Sequence, residues 1–186
     1  FIYFVPEADE QYAAVGLDMG FERLDDHRYR VRDTEVITAA SVDWLKRNRD
    51  ERFLLFVNYN SPHDPYDPPP EYLRKVPPPP KGPRDSAVRA YMAEAGKDDA
   101  ALGILLKTLD DLGLTKNTLV VVTADHGETL SHAHGGVSPL DKMPIRFHHA
   151  VGNFEETTKI PIIFSLPGVF DKGQRVSARV QNTDIV

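Results

Sequence analysis

The sequence has no cysteine, which excludes disulfides, thiolate zinc sites and thiol nucleophiles within its 186 residues and leaves the redox compartment undetermined. It also lacks a basic excess. Lys and Arg total 22 against 28 Asp and Glu, a formal net charge of -6, and this argues against nucleic acid as a partner. No apolar run approaches the roughly 20 residues that cross a bilayer, so the chain holds no membrane segment. What is present, 41% hydrophobic and 27% charged residues, is the composition of a globular domain with a core. The chain opens on Phe1 rather than Met and stops at Val186 inside what reads as an element, so it is expected to be part of a single domain truncated at both ends.

Residues 1–32 mix aromatics and charges around Gly16 and Gly20 and read as irregular. Asp33 and Thr34 offer an N-cap, and Val36, Ile37, Ala40, Trp44 and Leu45 recur at helical spacing, which predicts a short amphipathic helix. The apolar run 53–59 is short and rich in strand formers, so a buried strand is expected there. From 61 to 83 proline crowds the chain, excluding helix interiors and favouring extended or polyproline II backbone. A surface excursion within an α/β domain fits this stretch better than a ligand for proline-binding modules. Leu102, Leu105, Leu106, Leu109 and Leu112 then lie three and four apart, with Gly113 placed as a left-handed C-cap, which predicts a long helix beginning near Ser86. Strands are expected at 118–123 and 160–166, and the order helix, strand, loop, strand indicates an α/β fold.

Five of the seven histidines, His126, His132, His134, His148 and His149, follow the strand at 118–123, together with Asp125 and Glu128. Ligand crevices in open α/β sheets lie beyond the carboxyl ends of strands, where Thr123-Ala124-Asp125-His126-Gly127-Glu128 emerges. A carboxylate and an imidazole on adjacent residues can converge on one cation, which makes Asp125 and His126 candidate metal ligands. The competing reading is an aspartate that caps a turn beside a histidine with local hydrogen bonds. His63, in Ser61-Pro62-His63-Asp64-Pro65-Tyr66, follows the other apolar run and could reach the same rim, or simply be a turn histidine. Glu128 either supports the cation from a second layer or begins the loop.

Taken together these motifs resemble the sulfatase family of the alkaline-phosphatase-like superfamily. The resemblance rests on Ser61-Pro62-His63-Asp64-Pro65-Tyr66, the helix with Asp99, Gly103, Leu109 and Gly113, and the run 117–128. It continues through the aromatic-acidic segment beginning at Phe154, the strand at 160–164, Pro167-Gly168, and the closing 180–186, which looks like the family's later strand-to-helix segment. It implies an alkaline-phosphatase-like sheet flanked by helices, incomplete here, with residues 61–83 as a proline-rich excursion. Asp125 and His126 match the pair that ligates a divalent cation, usually calcium, with manganese or zinc in phosphoester-cleaving relatives. His63 matches the histidine that contacts the sulfate ester and assists the leaving group. His134, with Gly135, resembles a pocket histidine. His149, five residues before Phe154, is the best match to a cation that precedes that segment, with Lys142 second, and Asp99 resembles a hydrogen-bonding acidic residue of the family helix. Lys159 reads as a solvated or edge lysine.

The family's nucleophile is a formylglycine made from cysteine or serine, or a serine or threonine in some relatives, and none is assignable here. No serine is followed by the proline and arginine pattern that marks the modified residue. The resemblance therefore implies part of a metal-dependent sulfuric ester hydrolase acting on small anionic esters, with little or no turnover by this segment alone. Two alternatives stand: a phosphoric or phosphonate ester hydrolase or phosphoryl-group transferase on the same scaffold, and a noncatalytic domain that retains the fold. An exported protein, periplasmic or extracellular, is also implied, with the oligomeric state open.

Overall fold

The structure is a computed structural model that describes residues 2–3, 22–23, 34–63, 65–78, 82–130, 136–137, 144–145 and 153–185. The chain divides into two units, Phe1–Leu114 and Thr115–Val186.

In the first unit, β1 (Ile2–Tyr3) and β2 (Glu22–Arg23) pair in parallel. Helix α1 (Thr34–Arg47) is followed by the short α2 (Pro70–Leu73) and the long α3 (Gly82–Asp111), which spans about 45 Å at 1.5 Å per residue. Helix α1 begins where the sequence predicts, but its buried stripe differs. Thr34, Thr38, Ser41, Trp44 and Leu45 are buried, whereas Val36, Ile37 and Ala40 are only half-buried. Hydroxyls can occupy this face because each has an acceptor: Thr38 Oγ1 donates to the Thr34 carbonyl at 2.6 Å and Ser41 Oγ to the Ile37 carbonyl at 2.8 Å.

Helix α3 packs on α1 and buries Ala93, Glu94, Ala101, Leu105, Thr108 and Leu109, while Leu106 of the expected stripe faces out. Its end is a Schellman motif. Gly113 has φ 71°, its N–H donates to the Asp110 carbonyl at 2.9 Å, and Leu114 N–H reaches the Leu109 carbonyl at 2.8 Å. The proline-rich stretch obeys the expected exclusion, since Pro70 opens α2 at a first-turn position where no N–H is needed. Arg89 of α3 caps that helix end, donating to the Leu73 and Val76 carbonyls at 2.8 and 3.0 Å.

The run 53–59 departs from the buried strand expected of it. Only Leu55 makes a bridge there, and burial alternates: Phe53, Leu55 and Val57 are half-buried while Leu54 and Phe56 are exposed. One face of the run is packed, with Phe53 edge-on to Trp44 at 5.5 Å between ring centroids.

In the second unit, β3 (Val120–Thr123) pairs antiparallel with β6 (Ile162–Ser165), with Thr123 opposite Ile162. Both strands are shorter than the apolar runs that predict them. Between them, β4 (Gly136–Val137) pairs antiparallel with β5 (Pro144–Ile145), and a single helical turn, α4 (Glu155–Thr158), precedes β6. A 3-10 turn at Asn182–Ile185 closes the described residues. Among them no helix is long and apolar enough to cross a membrane.

Candidate functional site

Strand β3 ends at Thr123, and the chain leaves it through Ala124, Asp125, His126 and Gly127. The Asp125 carboxylate is mostly exposed and folds back on its neighbour. Its Oδ1 accepts the His126 N–H at 2.9 Å, and its Oδ2 lies 3.5 Å from His126 Nε2. His126 Nδ1 lies 2.8 Å from the Gly127 carbonyl oxygen. A carbonyl oxygen can only accept, so Nδ1 carries the proton and Nε2 is the nitrogen turned toward Asp125.

That arrangement tests whether the pair suits a cation. At 3.5 Å the Asp125 carboxylate and His126 Nε2 form an ion pair when the imidazole is doubly protonated, and present two acceptor atoms on the same side when it is neutral. The spacing is that of two adjacent donors sharing a cation with bonds of about 2.0 to 2.6 Å. A carbonyl-bonded Nδ1–H is also the usual support of a metal-ligating imidazole. In its neutral form the pair offers a carboxylate oxygen and an imidazole nitrogen to one divalent cation, a donor set that fits such an ion. Among the described residues, no group of three or more His, Asp or Glu side chains converges as a fuller metal shell.

The residues on both sides of the pair are tied down. Gly127 N–H donates to the Thr157 carbonyl at 2.8 Å, and a Cβ at Gly127 would be driven into the Glu156 carbonyl oxygen, so glycine is required where the loop meets α4. Thr157 is itself buried and donates through Oγ1 to the Phe154 carbonyl at 2.8 Å. On the other side, Asn182 Nδ2 donates to the Ala124 carbonyl at 2.9 Å, while Thr123 Oγ1 donates to Asn182 Oδ1 at 2.9 Å. Sequence reasoning missed Asn182 and Thr157. Their signal was the resemblance of 180–186 and of the segment at Phe154 to family segments, which marked both stretches but assigned no role within them. Glu128 is buried, and its Oε1 accepts the Thr129 N–H at 2.9 Å, so it helps to form the loop.

The remaining candidates are placed as follows. His63 is exposed on a turn in which its N–H donates to the Asn60 carbonyl at 3.2 Å, beside the buried Ser61. It belongs to the first unit, and Asp125 and His126 to the second. His134, His149, Lys142 and Asp64 lie outside the described residues. Asp99 is exposed, and the hydrogen bonding expected of it falls to Asp98, whose Oδ1 accepts the Thr34 hydroxyl at 2.8 Å. Lys159 is solvent-facing, with Nζ 3.4 Å from Glu155, as its strand-entry position suggests.

Comparison with known proteins places the chain in a family. The model of the family described as Sulfatase matches residues 9–186. The chain is 30% identical over 158 residues to a steryl-sulfatase of Rattus norvegicus, a match covering 82% of this chain and 25% of the relative. It is 30% identical over 165 residues to an ulvan-active sulfatase of Formosa agariphila, covering 81% and 30%. A solved structure from work on glycosaminoglycan metabolism by Bacteroides thetaiotaomicron is similar with a TM-score of 0.55 and 27% identity, over 70% of this chain and 29% of that one. The chain thus spans between a quarter and a third of the length of these relatives. The structural likeness bears out the expected alkaline-phosphatase-like α/β class, of which the helices and small sheets seen here form a part.

Proposed function

The chain belongs to the sulfatase family, and on that premise we propose that it supplies part of the active site of a metal-dependent sulfuric ester hydrolase, as one portion of a single catalytic domain. The observation that carries the proposal is the Asp125–His126 pair, whose carboxylate oxygen and imidazole nitrogen lie 3.5 Å apart where β3 ends. Calcium is the proposed cation, and the imidazole ligand keeps manganese and zinc in competition. When bound, the cation supplies positive charge that favours an anionic ester over a neutral one.

The chain's own residues then have separate tasks. Asp125 and His126 hold the cation, with the Gly127 carbonyl fixing the His126 ring. His63, exposed on its turn, is proposed to donate a proton to the leaving oxygen of the ester. His149 and His134, with Lys142 as the second choice to His149, are proposed to contact the nonbridging oxygens. No residue here is assigned as the nucleophile, so the proposal gives this chain binding and proton donation and leaves attack to a residue outside it.

A titration that follows histidine NMR signals tests this reading. Adding p-nitrophenyl sulfate to the calcium-loaded chain should move the signals of His63 and His126, with p-nitrophenyl phosphate competing more weakly. Tighter binding of the phosphate ester would favour phosphoryl chemistry on the same scaffold. No response to either ester would support a domain that keeps the fold without the chemistry.

A further inference from the structure

Asn182 is the first residue of a 3-10 turn that does not need its side chain. That turn is closed by its neighbours: Asp184 Oδ2 accepts the Gln181 N–H at 2.8 Å, and Asp184 N–H donates to the Gln181 carbonyl at 2.9 Å. Both polar ends of the Asn182 amide instead reach residues 58 and 59 positions earlier in the chain, at the end of β3. Nδ2 holds the carbonyl of Ala124, the residue immediately before Asp125, and Oδ1 accepts the hydroxyl of Thr123, the residue before that.

We infer that Asn182 is a positioning residue for the Asp125–His126 pair, an assignment that rests on the reading of that pair as cation ligands. The Ala124 carbonyl belongs to the peptide unit that also contains the Asp125 N–H, so fixing it sets the direction in which Asp125 leaves the strand. The Thr157 carbonyl does the same after the pair, through the Gly127 N–H. Between these two clamps the donors keep their 3.5 Å spacing, and the His126 ring keeps the orientation in which Nδ1–H meets the Gly127 carbonyl. Without Asn182 the first clamp is lost, and Asp125 samples orientations that do not face Nε2.

Two substitutions separate positioning from mere support and from charge. Asn182→Ala removes both bonds. Asn182→Asp keeps an acceptor for Thr123 but cannot donate to Ala124, and it adds a negative charge near the cation pair. Mn2+ binding to the purified chain is read by electron paramagnetic resonance, the His126 tautomer by 15N NMR of the metal-free chain at fixed pH, and the fold by far-UV circular dichroism and Tm. Both variants should weaken Mn2+ binding about ten-fold with native secondary structure, and His126 should lose its Nδ1–H preference. Thr123→Val, which removes one bond, serves as a milder variant if Asn182→Ala does not fold, and should weaken binding by a smaller factor.

Tighter binding by Asn182→Asp would show that charge near the cation matters and the donor does not, overturning the inference. Unchanged affinity and tautomer in Asn182→Ala would overturn it too. If the unaltered chain and Asp125→Asn bind Mn2+ equally, the cation reading fails. A shifted tautomer in Asn182→Ala would then still uphold Asn182 as the residue that orients the pair, and an unshifted one would overturn that role.

Discussion

Replacing Asp98 with asparagine should stabilise the protein at neutral pH, although it deletes a charge from a hydrogen-bonded network. Asp98 lies on the stripe of α3 that faces α1, where its Oδ1 accepts the Thr34 hydroxyl at 2.8 Å. Burial pushes its carboxyl from 3.8 up to about 6, against the opposing pull of the Thr34 hydroxyl and Lys97, and with Glu94 and Glu35 adding to the rise. A carboxyl with a raised folded-state pKa holds a proton that the unfolded chain has released. Its contribution to stability is therefore complete below about 3.8 and is lost as pH rises through about 6. Above that pH the folded state keeps a partly buried carboxylate at a cost. The gap of roughly two pH units corresponds to about 3 kcal/mol for a fully buried group, and partial exposure of Asp98 brings this to on the order of 1 to 2 kcal/mol. Asparagine keeps the acceptor for Thr34 without the charge. The assay is urea unfolding from pH 3.5 to 8, followed by the fluorescence of the single tryptophan, Trp44, which packs against Phe53 in the same unit. The difference between variant and parent should grow in the variant's favour from pH 4 to pH 6 and then level off. An Asp98→Asn protein that is less stable at pH 7.5, or whose curve runs parallel to the parent's, would refute the reasoning.

Other consequences follow from single positions. Gly127→Ala forces a Cβ against the Glu156 carbonyl oxygen, where backbone rather than a flexible side chain must yield, and should cost about 2 to 3 kcal/mol in urea unfolding together with a loss of cation affinity. Gly113→Ala meets no neighbour but must hold φ 71°, so it should cost about 1 kcal/mol by the same assay and leave cation affinity unchanged. His63→Ala, on an exposed turn, should leave Tm within about a degree and weaken the NMR response to p-nitrophenyl sulfate.

Much of the fold was legible because certain residues tolerate few environments. Gly113 marked the end of α3 correctly since a left-handed C-cap has few occupants. What misled was the assumption that burial follows apolarity. Helix α1 buries Thr34, Thr38 and Ser41, and α3 buries Glu94, all of which pattern counting ignores; the three hydroxyls are held by Asp98 or by backbone carbonyls. Glu94 accepts the Asp67 N–H at 2.7 Å. The run 53–59 shows the reverse error, since strand-forming residues do not create a ladder and Leu54 and Phe56 remain exposed. The placement of Asp125 and His126 just past the end of β3 was readable from the sequence. Asn182 was not, because a positioning residue contributed from 58 residues away has no local signature.

Calorimetric titration of Ca2+ into the purified chain, with Asp125→Asn and His126→Ala alongside, tests the central claim most directly. The account predicts saturable binding at one site, abolished by Asp125→Asn and weakened at least ten-fold by His126→Ala, with Tm of the metal-free proteins unchanged within about two degrees. Equal heats from all three proteins would contradict it and leave Asp125 and His126 as a hydrogen-bonded turn at the end of β3.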